Sequence, residues 1–305
     1  MRCVEHPESV LRLGKSDMSK LDLIAPDSPE AALSRRSLVQ TIAGTALAMT
    51  FLAGCGGSDD DDDNGGNNGG SGNSSLDIAI LQFALNLEYL EAEFYSYSTT
   101  GQGIGSRVEL TGIGTQGATT GGVQTNFTST GTAQYAAEIA NDEITHVQFL
   151  RGQLGNNVIA KPAININPLG LDLSTEQGYL TLARAFEDVG VTAYNGAAAA
   201  ISNKGYLSAA AAILAVEAYH AGILRLQNVQ QGVPAGAPLD SKDQPPTTTN
   251  LVPTNASSLA FGRTPREVLR IVYASPTATT PVPGGFFPAG ANLGTGNAQR
   301  LLDLG

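Results

Sequence analysis

Cysteine, histidine and tryptophan are almost missing from this chain. Of 305 residues, two are Cys, three are His and none is Trp. Cys3 lies in an N-terminal lead and Cys55 at the end of an apolar run, so no pair is left for a disulfide or a thiolate metal site. Basic residues are outnumbered: the net charge is −11, and because residues 1–54 hold six Lys/Arg and six Asp/Glu, the whole imbalance belongs to the part beginning at Cys55. An acidic surface argues against nucleic acid as a partner. The apolar run Ile42 to Gly54 falls short of the ~20 residues needed to span a bilayer and has no basic stop-transfer flank. With 42% hydrophobic residues, the chain can build one sizeable core plus segments outside it.

The N-terminal region reads as an address. Ser34-Arg35-Arg36-Ser37-Leu38-Val39 resembles a twin-arginine export signal, and the apolar run after it ends in Leu52-Ala53-Gly54-Cys55, which resembles a lipobox. Residues 1–54 are therefore expected to be a signal peptide, with Cys55 lipidated and anchored to the bacterial envelope, on the periplasmic face of the inner or outer membrane. The polar lead before the arginines is unusually long, and Met18 is a second possible start. Residues 55–75, with Asp59 to Asp63 followed by Asn, Gly and Ser, cannot bury anything and read as a flexible tether.

The two histidines outside the leader stand in the same setting. Glu143-Ile144-Thr145-His146 and Glu217-Ala218-Tyr219-His220 are both Glu-x-x-His. A spacing of three on a helix puts carboxylate and imidazole side by side, two ligands for one metal ion. Ten of the 251 residues from Cys55 onward are Glu, so chance would place Glu three before both histidines roughly once in several hundred such chains. The residues sharing a face with Glu143 (Ala136, Ile139, Ala140, Val147, Leu150) and with Glu217 (Ala210, Ile213, Leu214, Ala221, Leu224) are apolar, so both carboxylates are expected to be buried. A buried carboxylate costs several kcal/mol unless a cation or donor compensates it.

Helical periodicity places four helices: Leu76 to about Ser98, Ala133 to Leu154, a third from a Ser174-Thr175-Glu176-Gln177 capping box to a stop at Gly205, and about Ser208 to Gln231. On the first, Glu88 shares a face with Leu81, Leu85, Ala92 and Tyr95. Glu91 lies one turn on as a reserve ligand, while Glu93, grouped with Asn86, Tyr89 and Ser96, is expected to face water. On the third, Glu187 points inward with Leu180, Ala183, Val191 and Tyr194; Gly190 allows close approach, and Arg184 is the one polar exception. Glu88 precedes Tyr95 by seven, as Glu187 precedes Tyr194. All four glutamates lie about ten residues into their helices, so antiparallel packing brings them to one level. Residues 99–131 form a Gly/Thr-rich insertion that could be a lid, pair locally as short strands or be dispensable. Residues 232–305 form an irregular extension with one short helix near 265–274, opened by the capping box Thr264 to Glu267.

A Glu on one helix and Glu-x-x-His on the next, twice over, resembles the ferritin-like superfamily of carboxylate-bridged dimetal proteins. The closer likeness is to exported bacterial ferritin-like domain proteins related to plant desiccation-related proteins. It is carried by Leu85 to Tyr95, Asp142 to His146, Phe261-Gly262-Arg263-Thr264-Pro265 and Gly284-Gly285-Phe286-Phe287-Pro288, and covers roughly residues 76–290. It implies an all-α antiparallel four-helix bundle over 76–231 with a long crossover. It further implies two Fe or Mn ions, with Zn also compatible, bridged by Glu143 and Glu217 and completed by Glu88, Glu187, His146 and His220. Tyr95, Tyr194, Asp142 and Glu91 would support these ligands from behind. Val216 departs from the pattern, standing where a counterpart of Asp142 would be. The absence of Cys-x-x-Cys excludes a rubredoxin-like module. Two functions are implied: an oxidoreductase acting on peroxide, O₂ or Fe²⁺, or alternatively a non-catalytic, stress-associated envelope protein using the bundle as a scaffold.

Overall fold

Side-chain caps decide where the four long helices begin. The structure, a computed structural model, describes residues 74–111 and 113–305; the export signal, Cys55 and nearly all of the expected tether lie outside them. Ser74 accepts from the Asp77 amide to open α1 (Ser75–Thr100), which closes on Gly101 in the left-handed conformation, φ 74°. Ser129 caps α2 (Thr130–Leu154), Thr175 caps α3 (Glu176–Ala197) and Asn203 caps α4 (Lys204–Gln230). The box expected at Ser174 is displaced by one residue, because Thr175 receives the Gly178 amide. The carboxylate of Glu176 is used elsewhere, accepting from the amides of Thr128 and Ser129. Gly205 does not stop α3 either. That helix ends at Ala197, and Asn203 accepts from the amides of Gly205 and Tyr206, drawing Gly205 into the first turn of α4.

The bundle is all-α and its neighbouring helices are antiparallel. Between α1 and α3, Glu88 meets Tyr194 and Tyr95 meets Glu187. Between α2 and α4, Thr132 meets Gln231 and Gln153 meets Tyr206, so rising numbers on one helix face falling numbers on the other. α1 packs mainly on α2 and α3 on α4, and the chain crosses between the pairs through residues 155–175. α4 is long and apolar enough to match a membrane span by length and composition. It is nonetheless the fourth helix of this bundle, with Glu217, His220 and Arg225 on its buried face.

α1 is buried nearly all round, which corrects the expectation that Glu93, in its group with Asn86, Tyr89 and Ser96, faces water. The insertion and the crossover lie over this side and pair as two short parallel strands, β1 (Thr119–Thr120) and β2 (Ile164–Asn165). Beneath them Glu93 accepts from the Ile104 amide at 3.0 Å and Thr119 Oγ1 at 2.8 Å, and pairs with Lys161 Nζ at 3.1 Å. Farther along, the C-terminal extension lies on α1: Asn86 exchanges two hydrogen bonds with the Asn292 backbone, and Gln82 Oε1 accepts from Gly294 and Asn297.

The extension holds two short helices rather than the one expected. α5 (Pro265–Val272) has the foreseen capping box between Thr264 and Glu267 with Pro at its start. α6 (Asn297–Leu302) begins at Gly296, φ 78°, without any side-chain cap, so its start carries no capping signal. Residues 232–264 are held to α3 and α4 by buried ions. Arg184 pairs with Asp188 on its own helix and with Asp243 of the extension, Arg225 pairs with Asp188 at 2.6 Å and donates to the carbonyls of Gln244 and Leu251, and Arg263, paired with Asp240, donates to Thr192 on α3. Arg184, the polar exception beside Glu187, is thus paired with buried carboxylates.

Candidate metal centre

Helical spacing and antiparallel packing bring six side chains from four helices into one pocket: Glu88 from α1, Glu143 and His146 from α2, Glu187 from α3, and Glu217 and His220 from α4. All four glutamates are fully buried and both histidines nearly so. Glu143 lies between the imidazoles, its Oε2 3.0 Å from His146 Nδ1 and its Oε1 3.1 Å from His220 Nδ1. Glu88 Oε2 and Glu217 Oε1 complete the His146 side at 3.2 and 3.6 Å, and Glu187 Oε2 lies 3.2 Å from His220 Nδ1.

Ligating atoms fall into overlapping groups, each within 4.8 Å: Glu88, Glu143, His146 and Glu217 form one, and Glu143, Glu187 and His220 another. Glu143 belongs to both. Glu91 forms a third group with Glu187 and Glu217, without either histidine. Both oxygens of Glu217 are buried without a hydrogen-bond donor, and Glu88 Oε2 and Glu143 Oε1 have only the ion-pair contacts to histidine. Unsatisfied buried carboxylate oxygens are costly, and cations are what this donor set fits. It is oxygen-rich with one imidazole nitrogen on each side, a set that suits metal ions.

The pocket's electrostatics fit the same reading. Burial, then the carboxylates of Glu143 and its neighbours, push Glu91 and Glu217 well above the ordinary carboxylate range. Glu88 is held below it because His146 outweighs the cost of burial. Burial also opposes a proton on His146, but Glu88 and Glu143 outweigh it and raise the imidazole to about 11; His220 is raised further by Asp142, Glu143 and Glu187. Without metal, then, imidazolium ions stand in for cations, and metal binding has to displace their protons.

The surrounding residues orient the ligands. Tyr194 donates to Glu88 Oε1 and Tyr95 to Glu187 Oε1, both at 2.5 Å. Asp142 Oδ2 lies 3.1 Å from His220 Nε2, which fixes the ring so that Nδ1 faces the pocket. Among the described residues no such carboxylate reaches His146 Nε2, and Val216 occupies the position noted in the sequence. Gly190 is required by space, since a Cβ there would stand 2.2 Å from Glu217 Oε2. Tyr135 went unnoticed in the sequence. Its ring packs edge-on against His220 at 6.2 Å, and its spacing of seven before Asp142 was the available signal.

Comparison with known proteins agrees with this geometry. The family model described as "Ferritin-like domain" matches residues 76–230, half the chain. The chain belongs to the ferritin-like domain family. Among curated proteins, "Ferritin-like catalase Nec2" from Nesocodon mauritianus is 24% identical over 277 aligned residues, covering 73% of this chain and 85% of that protein. No solved structure matches. The matched span of the ferritin-like domain takes in all four long helices and every residue of the pocket.

Proposed function

We propose that this ferritin-like domain holds two Fe or Mn ions and uses them to break down peroxide. The observation that carries the reading is Glu143, one oxygen toward each imidazole, in a buried cluster where both oxygens of Glu217 and one each of Glu88 and Glu143 lack a hydrogen-bond donor. Glu88, Glu143, His146 and Glu217 would hold one ion, and Glu143, Glu187, His220 and Glu217 the other. Such a pair supplies the two-electron exchange by which two molecules of H₂O₂ give O₂ and two of water. The name of the relative, a ferritin-like catalase, supports peroxide over the other small oxidants that the fold admits.

The chain's own part is to bind, orient and exclude. Tyr95 and Tyr194 fix the terminal carboxylates, Asp142 fixes His220, and Phe94, stacked on Tyr179 and edge-on to Phe186, packs α1 against α3 beside them. The same proposal includes export by the twin-arginine motif and anchoring by lipid on Cys55, supported by the sequence Leu52-Ala53-Gly54-Cys55.

Plasma mass spectrometry of metal per chain, with an oxygen electrode following H₂O₂, tests the central claim. Two ions and O₂ release are expected after loading with Fe²⁺ or Mn²⁺. A ratio well below two with no O₂ evolved would leave the non-catalytic scaffold as the better reading. Metabolic labelling with a fatty acid tests the anchor: wild type should be labelled and Cys55→Ala should not.

A further inference from the structure

A second cavity of about 370 Å³ lies between α1, α3 and the C-terminal extension, separate from the apolar gap between α1 and the start of α4. Its walls are apolar, built from residues such as Leu87, Leu182, Ala185, Leu239 and Phe286. Among the described residues that line it, Glu91 is the one ionisable group and Gly190 the one glycine. Both also touch the metal pocket. Glu91 offers an oxygen within 4.8 Å of ligating atoms of Glu187 and Glu217, and Gly190 lies so close to Glu217 that a methyl group would overlap its Oε2. A single carboxyl group and a bare stretch of backbone therefore separate the cavity from the centre.

We propose that this cavity is the entry route by which a small uncharged molecule reaches the metal pocket, with Glu91 and Gly190 forming its inner end. The proposal rests on the metal-centre reading above and adds what that reading lacks, a path and a selection rule. A molecule entering here gives up its water to apolar walls, which an uncharged peroxide or dioxygen does cheaply and an ion does not. The extension, which looks like packing material, thus forms one wall of the route through Leu239, Ile271 and Phe286.

Two plugs test the route from opposite walls. Ala185→Phe fills the cavity from α3, where residue 185 is turned away from Glu187 by its helical position, and Leu239→Trp fills it from the extension. Crystals of metal-free protein under xenon show whether the cavity admits an uncharged atom and whether each plug displaces it. The second readout is the rate at which nitric oxide, a neutral diatomic, binds Fe²⁺-loaded protein under argon, followed by nitrosyl absorbance in a stopped-flow instrument. Metal content is measured in parallel.

Xenon is expected in wild type and in neither plugged variant. The nitric oxide rate should fall at least ten-fold in both, metal content should stay at two ions, and the rate of azide binding should not change. Xenon failing to enter wild type would overturn the proposal. So would an unchanged nitric oxide rate in a variant that excludes xenon, and with two ions still bound the metal reading would survive that result. Azide slowed as much as nitric oxide would overturn the selection by charge. Wild type that binds no metal would overturn both readings, and the stoichiometry identifies that case.

Discussion

Tyr194 on α3 donates its hydroxyl to Glu88 on α1 across 2.5 Å, and Tyr95 on α1 returns the same bond to Glu187 on α3. Each tyrosine serves the other helix's glutamate. Removing one hydroxyl leaves a carboxylate oxygen without its donor while the ring still fills its space. Tyr194→Phe is expected to fold normally and to lose about 10 to 100-fold in metal affinity, the range seen when partners behind a metal ligand are deleted. Titration calorimetry with Mn²⁺ measures it, and unchanged affinity would count against Glu88 as a ligand.

Because Glu143 is shared, the two halves of the pocket should fail together when it is lost. Glu143→Ala is expected to bring metal content well below one ion per chain, whereas His146→Ala and His220→Ala each leave partial occupancy. Plasma mass spectrometry gives the ordering, and equal effects of all three would point to independent sites. Metal bound only by the native state adds about 4 kcal/mol at a thousandfold excess over its Kd, so a chelator should lower the Tm of wild type and not of Glu143→Ala.

Glu93 is a test of the covering segments. Its partner Lys161 is 2% exposed, so Glu93→Ala strands a buried ammonium ion, and breaking such a pair costs about 3–5 kcal/mol. Urea unfolding should show that loss, with the metal ratio of the folded protein unchanged. A stability within 1 kcal/mol of wild type, roughly the value of an exposed pair, would mean that the insertion does not close over α1.

Acid should loosen the junction between the insertion and α3. Burial opposes the charge on Glu176, but hydrogen bonds from Thr128, Thr132 and Ser129 outweigh it and hold the carboxyl down at about 2, against an ordinary value of 4.5. A lowered value in the folded state means stability that is complete above pH 4.5 and lost as pH falls toward 2. The Tm gap between wild type and Glu176→Gln should therefore be widest near neutrality and narrow steadily below pH 4.5. A gap constant with pH would show that these bonds do not distinguish the charged carboxylate.

Helix geometry explains why the pocket was legible in the sequence. A spacing of three or seven on a helix places side chains on one face whatever surrounds them, so Glu143 with His146, Glu217 with His220, and each Glu with its distant Tyr could be grouped from spacing alone. The four helices followed from the same periodicity, and the Thr264 box from a cap lying within four residues.

Only tertiary structure decided what depends on distant chain. Glu93 and Asn86 look like a wet face until the insertion and the tail, from 11 to 206 residues away, cover them and answer their hydrogen bonds. No local pattern encodes that cover. Gly205 and Ser174 carry strong local signals that lost to neighbours: the Asn203 side chain captured the first, and Thr175 took the cap expected of the second. The tyrosines' partners were likewise settled by packing. Seven residues are about 10 Å along a helix, so Tyr95 cannot turn back to Glu88, and the antiparallel α3 brings Glu187 to its level instead.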